Sequence, residues 1–165
     1  MAETTSGSAK VTLPADNQIL ITREFAAPPH LVYRAWTTPE MVKHWWAGRR
    51  GTMTSVEIDL RTGGRWRYVM TANGGFEVAF HGVFREIVPA RRIVTTEVFE
   101  MPGEQADEDA AVTTTTFMAV GDRTRLELLT ETRTKEIRDA IIDSGMEGGM
   151  QEQMDALDDL AASLG

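Results

Sequence analysis

The stretch SGMEGGMQEQMDAL, residues 144–157, decides the fold of this chain. Its large apolar residues recur every three or four positions, the spacing of one stripe on an α-helix: Met146, Met150, Met154 and Leu157. Three glycines interrupt this helical pattern: Gly145, Gly148 and Gly149. A glycine in a helix interior costs roughly 1 kcal/mol relative to alanine. Glycines beside flexible methionines indicate a helix that lines a cavity. The alternative is that the glycines permit a close helix–strand approach or a kink, with no cavity.

The helical pattern runs from Thr134 or Lys135 to Leu164 and predicts one helix of thirty residues. Before it, strand-like runs alternate with turn signals at Gly63-Gly64, Asn73-Gly74, Pro89-Ala90 and Gly121-Asp122. These turns predict an antiparallel meander of six strands at about 53–60, 65–72, 76–88, 91–100, 112–120 and 123–132. The acidic segment 101–111 is predicted to be a longer loop.

A further strand is predicted over Gln18–Phe25, followed by two short helices, one over residues 30–36 and one that begins at Pro39 with Thr38 as N-cap. A sheet of this size must bury one face, and only the final helix is available to cover it. The sequence therefore predicts an α+β fold: a curved antiparallel sheet of about seven strands wraps around a long C-terminal helix, and its concave face encloses a cavity.

Composition sets the broad class of the protein. A chain of 165 residues fits one domain, predicted over residues 18–165, and the polar residues 1–17 are predicted to be a flexible tail. The net charge of -8 argues against nucleic-acid binding, and no apolar run is long enough to span a membrane. The chain has no cysteine, and its three histidines lack metal-ligand spacing. We expect a cytoplasmic protein without metal or cofactor.

Strand alternation and the helical stripe predict one set of residues on the cavity wall. These candidate ligand-binding residues are Trp66, Tyr68, Met70, Phe80, Phe84, Thr95, Glu97, Phe99, Met146, Met150 and Met154. The alternative for each aromatic residue is an ordinary place in the core. No catalytic signature such as a nucleophile elbow, phosphate loop or zinc-protease helix is present.

Three polar or aromatic features need separate interpretation. Glu97 alternates with apolar residues, so it either faces the cavity as a costly buried carboxylate or is turned outward by a local twist. His81 is predicted to face away from the cavity. Trp45 and Trp46 end the second short helix, where they either gate a ligand or divide between filling the core and covering its edge.

The order of motifs resembles that of a known family. ITREFAAPPHLVYRAWTTPEMVKHWW, EIDLRTGGRWRYVM, FHGVFREIVPARRIVTTEVFE and SGMEGGMQEQMDALDDL together resemble stand-alone bacterial members of the activator of heat-shock-protein-90 ATPase homologue family, within the START-like (SRPBCC) superfamily. The resemblance covers about residues 18–164 and implies a helix-grip fold with a deep cavity. Superfamily members bind lipids, sterols, hormones and polyketides, and a minority are enzymes without a shared catalytic set. Glu97 departs from relatives that often carry an aromatic residue there.

Three functions are therefore compared. The first is binding of a small apolar or aromatic ligand in the cavity. The second is a cyclase, dehydratase or hydrolase that uses Glu97 as general base and Tyr68 as hydrogen-bond donor. The third is association with a chaperone through Trp45 or Trp46 and the acidic helix face, although seventeen polar residues cannot supply the separate chaperone-binding domain of the eukaryotic activator. A homodimer is compatible with any of the three.

Overall fold

A computed structural model describes residues 9–100 and 110–164 of the chain. It contains one antiparallel sheet and four helices. The strands are β1 (Lys10–Thr12), β2 (Gln18–Phe25), β3 (Gly51–Ile58), β4 (Arg65–Ala72), β5 (Glu77–Val88), β6 (Arg92–Glu100), β7 (Ala111–Val120) and β8 (Arg123–Glu131). The helices are α1 (Pro29–Thr37), α2 (Pro39–Trp45), α3 (Lys135–Asp143) and α4 (Met146–Ser163).

The sheet follows the predicted meander, with strand order β1-β2-β8-β7-β6-β5-β4-β3. Short turns at the predicted positions join the consecutive strands from β3 to β6, and β7 to β8. The predicted α+β fold is confirmed, with eight strands in the described residues rather than about seven. The predicted loop over residues 101–111 lies almost entirely outside the described part of the chain.

The additional strand, β1, lies inside the predicted tail. Val11 pairs with Ile21 on β2, and Ala9 is fully buried, with its amide donating to the Gln151 side chain at 3.0 Å. The predicted start of ordered structure at residue 18 was wrong for this segment, because three residues are too few to show a periodic pattern. Residues 1–8 of the predicted tail lie outside the described residues.

The prediction of one thirty-residue C-terminal helix was wrong, because the helix is divided at Gly145. This residue has φ = 85°, in the left-handed region that glycine adopts without steric cost, so α3 ends before it and α4 begins after it as a separate helix. The Thr134 hydroxyl caps the start of α3 by accepting a hydrogen bond from the Ile137 amide at 3.1 Å. One of the three glycines is therefore a helix break.

Helix α4 packs against α1, α2 and β2 and closes one side of the core. Its buried stripe consists of Met150, Met154, Leu157 and Ala161. Arg23 on β2 fixes the middle of the helix, donating to the Met154 carbonyl at 3.1 Å and to the Asp155 carboxylate at 2.9 Å. These bonds tie the middle of the helix to β2.

The first turns of α4 are fixed to the loop that follows α2. The Glu152 carboxylate accepts a hydrogen bond from the Arg49 amide at 3.0 Å, and the Gln153 amide donates to the Trp46 carbonyl. A side chain at Gly148 would place its Cβ 2.7 Å from the Arg50 guanidinium, so this glycine allows a close approach. A Cβ at Gly149 would meet no atom within 4 Å, so open space adjoins the helix there.

Candidate ligand-binding site

Aromatic side chains from three neighbouring strands and from the end of α2 form one cluster. Trp46 makes edge-to-face contacts with Tyr68 and Phe80, with ring centroids 5.3 and 4.8 Å apart. Phe80 stacks on Phe99 at 4.9 Å, and Trp66 lies 4.8 Å from Tyr68. We call these five residues the aromatic cluster.

The register of the sheet explains how the aromatic cluster forms. Tyr68 on β4 lies opposite Phe80 on β5, which in turn lies opposite Phe99 on β6. Residues directly opposite each other project from the same face of a sheet. Since Trp46 reaches this face from α2, the row of rings lies on the inner face, the side on which the helices pack.

Gly82 on β5 positions Trp66 within the aromatic cluster. Gly82 lies opposite Trp66, and the Trp66 indole donates a hydrogen bond to the Thr96 carbonyl on the next strand at 3.1 Å. A Cβ at Gly82 would lie 2.6 Å from the indole nitrogen and would collide with the Thr96 carbonyl oxygen. The indole therefore reaches across β5 only because residue 82 has no side chain.

Glu97 lies on the inner face beside the aromatic cluster. Its neighbours Thr95 and Phe99 lie opposite Phe84 and Phe80, so alternation places Glu97 on their side of the sheet. The carboxylate is half-buried, and in the described part of the chain it forms no hydrogen bond or ion pair. Desolvation raises its pKa.

The Tyr68 hydroxyl lies close enough to the Glu97 carboxylate to be affected by its charge. Burial raises the pKa of the Tyr68 hydroxyl, and the negative charge of Glu97 raises it further. Tyr68 therefore keeps its proton throughout the neutral pH range and remains a hydrogen-bond donor. No protein acceptor for this hydroxyl is found within residues 9–100 and 110–164.

The predicted cavity residues divide into two groups by exposure. Four are buried: Trp66, Phe84, Met150 and Met154. Seven are half-buried: Tyr68, Met70, Phe80, Thr95, Glu97, Phe99 and Met146. The buried methionines belong to the core of the domain. The half-buried strand residues lie together on the inner faces of β4, β5 and β6, so this is the part of the predicted wall that retains accessible surface.

The paired tryptophans have separate roles, and Trp46 is not among the predicted cavity residues. Trp45 is 2% exposed, donates its indole hydrogen bond to the Ala35 carbonyl at 2.9 Å and packs against Trp36. Trp46 is half-buried and joins the aromatic cluster. The doubled tryptophan at a helix end was the available signal, but only the tertiary structure shows which ring turns toward the sheet.

The outer face of the same strands carries charged residues. His81 lies 2.8 Å from the Glu100 carboxylate, which also accepts two hydrogen bonds from Arg67 at 2.9 Å. These interactions lower the pKa of Glu100 to about 2, mainly through the hydrogen bond from Arg67. His81 thus faces away from the aromatic cluster, as the alternation predicts.

The described part of the chain contains neither a metal-binding cluster of side chains nor a membrane-spanning helix. Its residues include no group of three histidine, aspartate or glutamate side chains arranged to hold a metal ion. None of its helices is both long enough and apolar enough to cross a membrane.

The antiparallel sheet curved around helices, with an accessible aromatic inner face, defines a protein of the helix-grip, START-like class. Residues 26–162 match the family model of the activator of Hsp90 ATPase homolog 1-like proteins, and the chain belongs to this family. No curated protein matches the chain.

Solved bacterial structures show the same fold. A protein from Rhodobacter sphaeroides has a TM-score of 0.85 at 25% identity, over 95% of this chain and 99% of its own. Protein Ms6760 from Mycobacterium smegmatis has a TM-score of 0.83 at 23% identity, over 93% of this chain and 96% of its own. Protein CV1439 from Chromobacterium violaceum has a TM-score of 0.76 at 28% identity, over 88% of this chain and 98% of its own.

Proposed function

We propose that this protein binds a small apolar or aromatic molecule between the inner faces of β4, β5 and β6 and helix α4. The observation that carries the proposal is the position of three half-buried rings, Tyr68, Phe80 and Phe99, on the face of the sheet that otherwise packs the core. Ligand pockets are generally apolar concavities with a few polar groups that set orientation. Glu97 and the Tyr68 hydroxyl are the polar groups here.

The expected affinity follows from the area that such a site can cover. An aromatic ligand that buries about 150–250 Å² gains about 4–6 kcal/mol from burial of apolar surface. Part of this is offset by the loss of translational and rotational freedom on association. We expect micromolar to millimolar dissociation constants for simple aromatic probes, with tighter binding only for a ligand that also satisfies Glu97 and Tyr68.

The test is a fluorescence titration with N-phenyl-1-naphthylamine, a neutral apolar dye that brightens when it leaves water. We expect saturable enhancement, and Phe99→Ala should weaken binding several-fold because a stacked ring is lost from the site. Phe76→Ala is the matched control, since Phe76 is 61% exposed at the turn between β4 and β5. Absence of saturable binding to the wild-type protein, or equal effects of the two variants, would refute the proposal.

A second candidate function, acid–base catalysis in the same site, is favoured by one observation. Glu97, whose pKa is raised by burial, lies near Tyr68, which keeps its proton and can donate to a developing oxyanion. If the protein is an enzyme, Glu97→Gln should abolish turnover and preserve binding. Turnover that survives this substitution would remove Glu97 from the mechanism.

The remaining parts of the proposal concern partners and location. A chaperone role through the paired tryptophans has little support, because Trp45 is buried and Trp46 contacts the aromatic cluster. The absence of cysteine is in keeping with a cytoplasmic location, which we include in the proposal. Sedimentation analysis would decide between a monomer and a homodimer.

A further inference from the structure

We propose that the ligand of this site is a cation, with an ammonium group held at Glu97 and an apolar body against the aromatic cluster. This inference rests on the proposed function and adds the chemical class of the ligand. It also accounts for a carboxylate in a position where the surrounding side chains are apolar.

The first argument is that Glu97 has no partner within the described chain. Glu97 is half-buried among apolar side chains, where the partial loss of water is costly for a carboxylate unless it is paired or hydrogen-bonded. The two buried arginines among the described residues form their hydrogen bonds with groups other than Glu97. Arg23 binds the Met154 carbonyl and Asp155 on α4, and Arg138 binds the Ala15 carbonyl and Asp139. Neither compensates Glu97, so a bound cation is the group that would do so.

The second argument comes from the rings around the carboxylate. Aromatic faces carry negative electrostatic potential and attract a cation that lies within about 6 Å of the ring centroid. Trp46, Tyr68, Phe80 and Phe99 form a continuous group of such rings on the face that carries Glu97. An ammonium group that lies between this carboxylate and the neighbouring rings would be attracted by the charge of Glu97 and by the electrostatic potential of the rings.

The same features disfavour anionic ligands and neutral hydrogen-bond donors. An anionic ligand would meet the Glu97 charge, in a chain whose net charge is -8. A neutral hydrogen-bond donor would satisfy the carboxylate, but it would gain nothing from the electrostatic potential of the rings. A cationic ligand gains from both.

The test compares two probes of nearly equal shape. Benzyltrimethylammonium carries a permanent positive charge and no N–H donor, and neopentylbenzene is its neutral carbon isostere. Each probe competes with bound N-phenyl-1-naphthylamine, so one assay gives both dissociation constants. We expect the cation to bind about tenfold more tightly than the isostere, the scale of a desolvated cation–π contact.

Substitutions then assign this preference to Glu97. Glu97→Gln should bring the two dissociation constants to within about twofold, and Glu97→Asp, which keeps the charge, should restore part of the preference. Glu77→Gln on the exposed start of β5 is the matched control and should leave the preference unchanged. Circular dichroism establishes that each variant is folded.

Each outcome is informative. Equal binding of the two probes by the wild-type protein would overturn the inference and leave the proposed function standing. A cation preference that persists in folded Glu97→Gln would also overturn it, since the carboxylate would not be the recognition group. Failure of the dye and of both probes to bind would refute the proposed function itself.

Discussion

Substitution of Gly82 by alanine tests whether the inner face is built as described. The new methyl group would lie 2.6 Å from the Trp66 indole nitrogen and inside van der Waals contact of the Thr96 carbonyl oxygen. The carbonyl belongs to the backbone of β6 and cannot move without disturbing the sheet. The sheet therefore has to distort locally around Thr96, and the indole has to move as well, so that its 3.1 Å hydrogen bond to Thr96 is lost.

The expected cost has two parts. Loss of the hydrogen bond costs about 1 kcal/mol, and overpacking of an established core costs about 1–3 kcal/mol. The free energy of unfolding should therefore fall by about 2–4 kcal/mol. At about 2–4 °C per kcal/mol for a domain of this size, the melting temperature should fall by about 4–16 °C.

The measurement is urea unfolding followed by far-ultraviolet circular dichroism, together with a thermal melt. Gly149→Ala is the matched control, because its methyl group would meet no atom within 4 Å and lies in a helix. This variant should be about 0.5–1 kcal/mol more stable than wild type. A Gly82→Ala protein within 0.5 kcal/mol of wild type would refute the described contact among Gly82, Trp66 and Thr96.

Three further substitutions test the electrostatics of the fold. Burial raises the pKa of Glu97, so the folded protein takes up a proton more readily than the unfolded chain. The folded protein therefore loses stability as pH rises from about 4.5 through the folded pKa. Glu97→Gln should remove this loss in urea-unfolding measurements made at a series of pH values. The pKa of Glu100 is lowered to about 2, so its stabilising effect is complete above about 4.5 and is lost as pH falls through about 2. Glu100→Gln should cost no more than about 1 kcal/mol at pH 7, since the pair is partly exposed, and this cost should shrink as pH falls toward 2. Arg23→Ala should cost about 3 kcal/mol in the same assay, because it removes a buried guanidinium that holds β2 to α4, and a loss below 1 kcal/mol would contradict that role.

The sequence was sufficient to predict the sheet because its signals are local. Turn residues at Gly63-Gly64, Asn73-Gly74 and Gly121-Asp122 mark strand ends, and alternation defines the two faces of each strand. Strand boundaries came within two residues of those in the structure. The three-residue strand β1 shows no such pattern, since its pairing with β2 and its contact with Gln151 are both tertiary.

The C-terminal segment shows the limit of periodicity. The methionine stripe begins at Met146, directly after the break, and it does not reveal that Gly145 adopts a left-handed conformation. The sequence gives no means of distinguishing the roles of Gly145, Gly148 and Gly149. The structure separates them into a helix break, a close approach to Arg50 and a position beside open space.

The candidate site was partly predictable because strand alternation is a local signal in the sequence. Alternation placed Tyr68, Phe80, Glu97 and Phe99 on one face, and the structure brings them together. It did not include Trp46, because no periodic rule gives the direction of a side chain at the end of a short helix.

Ligand contact with the inner face of β4, β5 and β6 is tested most directly by an NMR titration with benzyltrimethylammonium. The titration follows the indole N–H signals of the four tryptophans, assigned with single Trp→Phe variants. We predict that the signals of Trp46 and Trp66 move in a saturable way, whereas the signal of buried Trp45, bonded to the Ala35 carbonyl, does not. Unchanged Trp46 and Trp66 signals at saturating probe would contradict it.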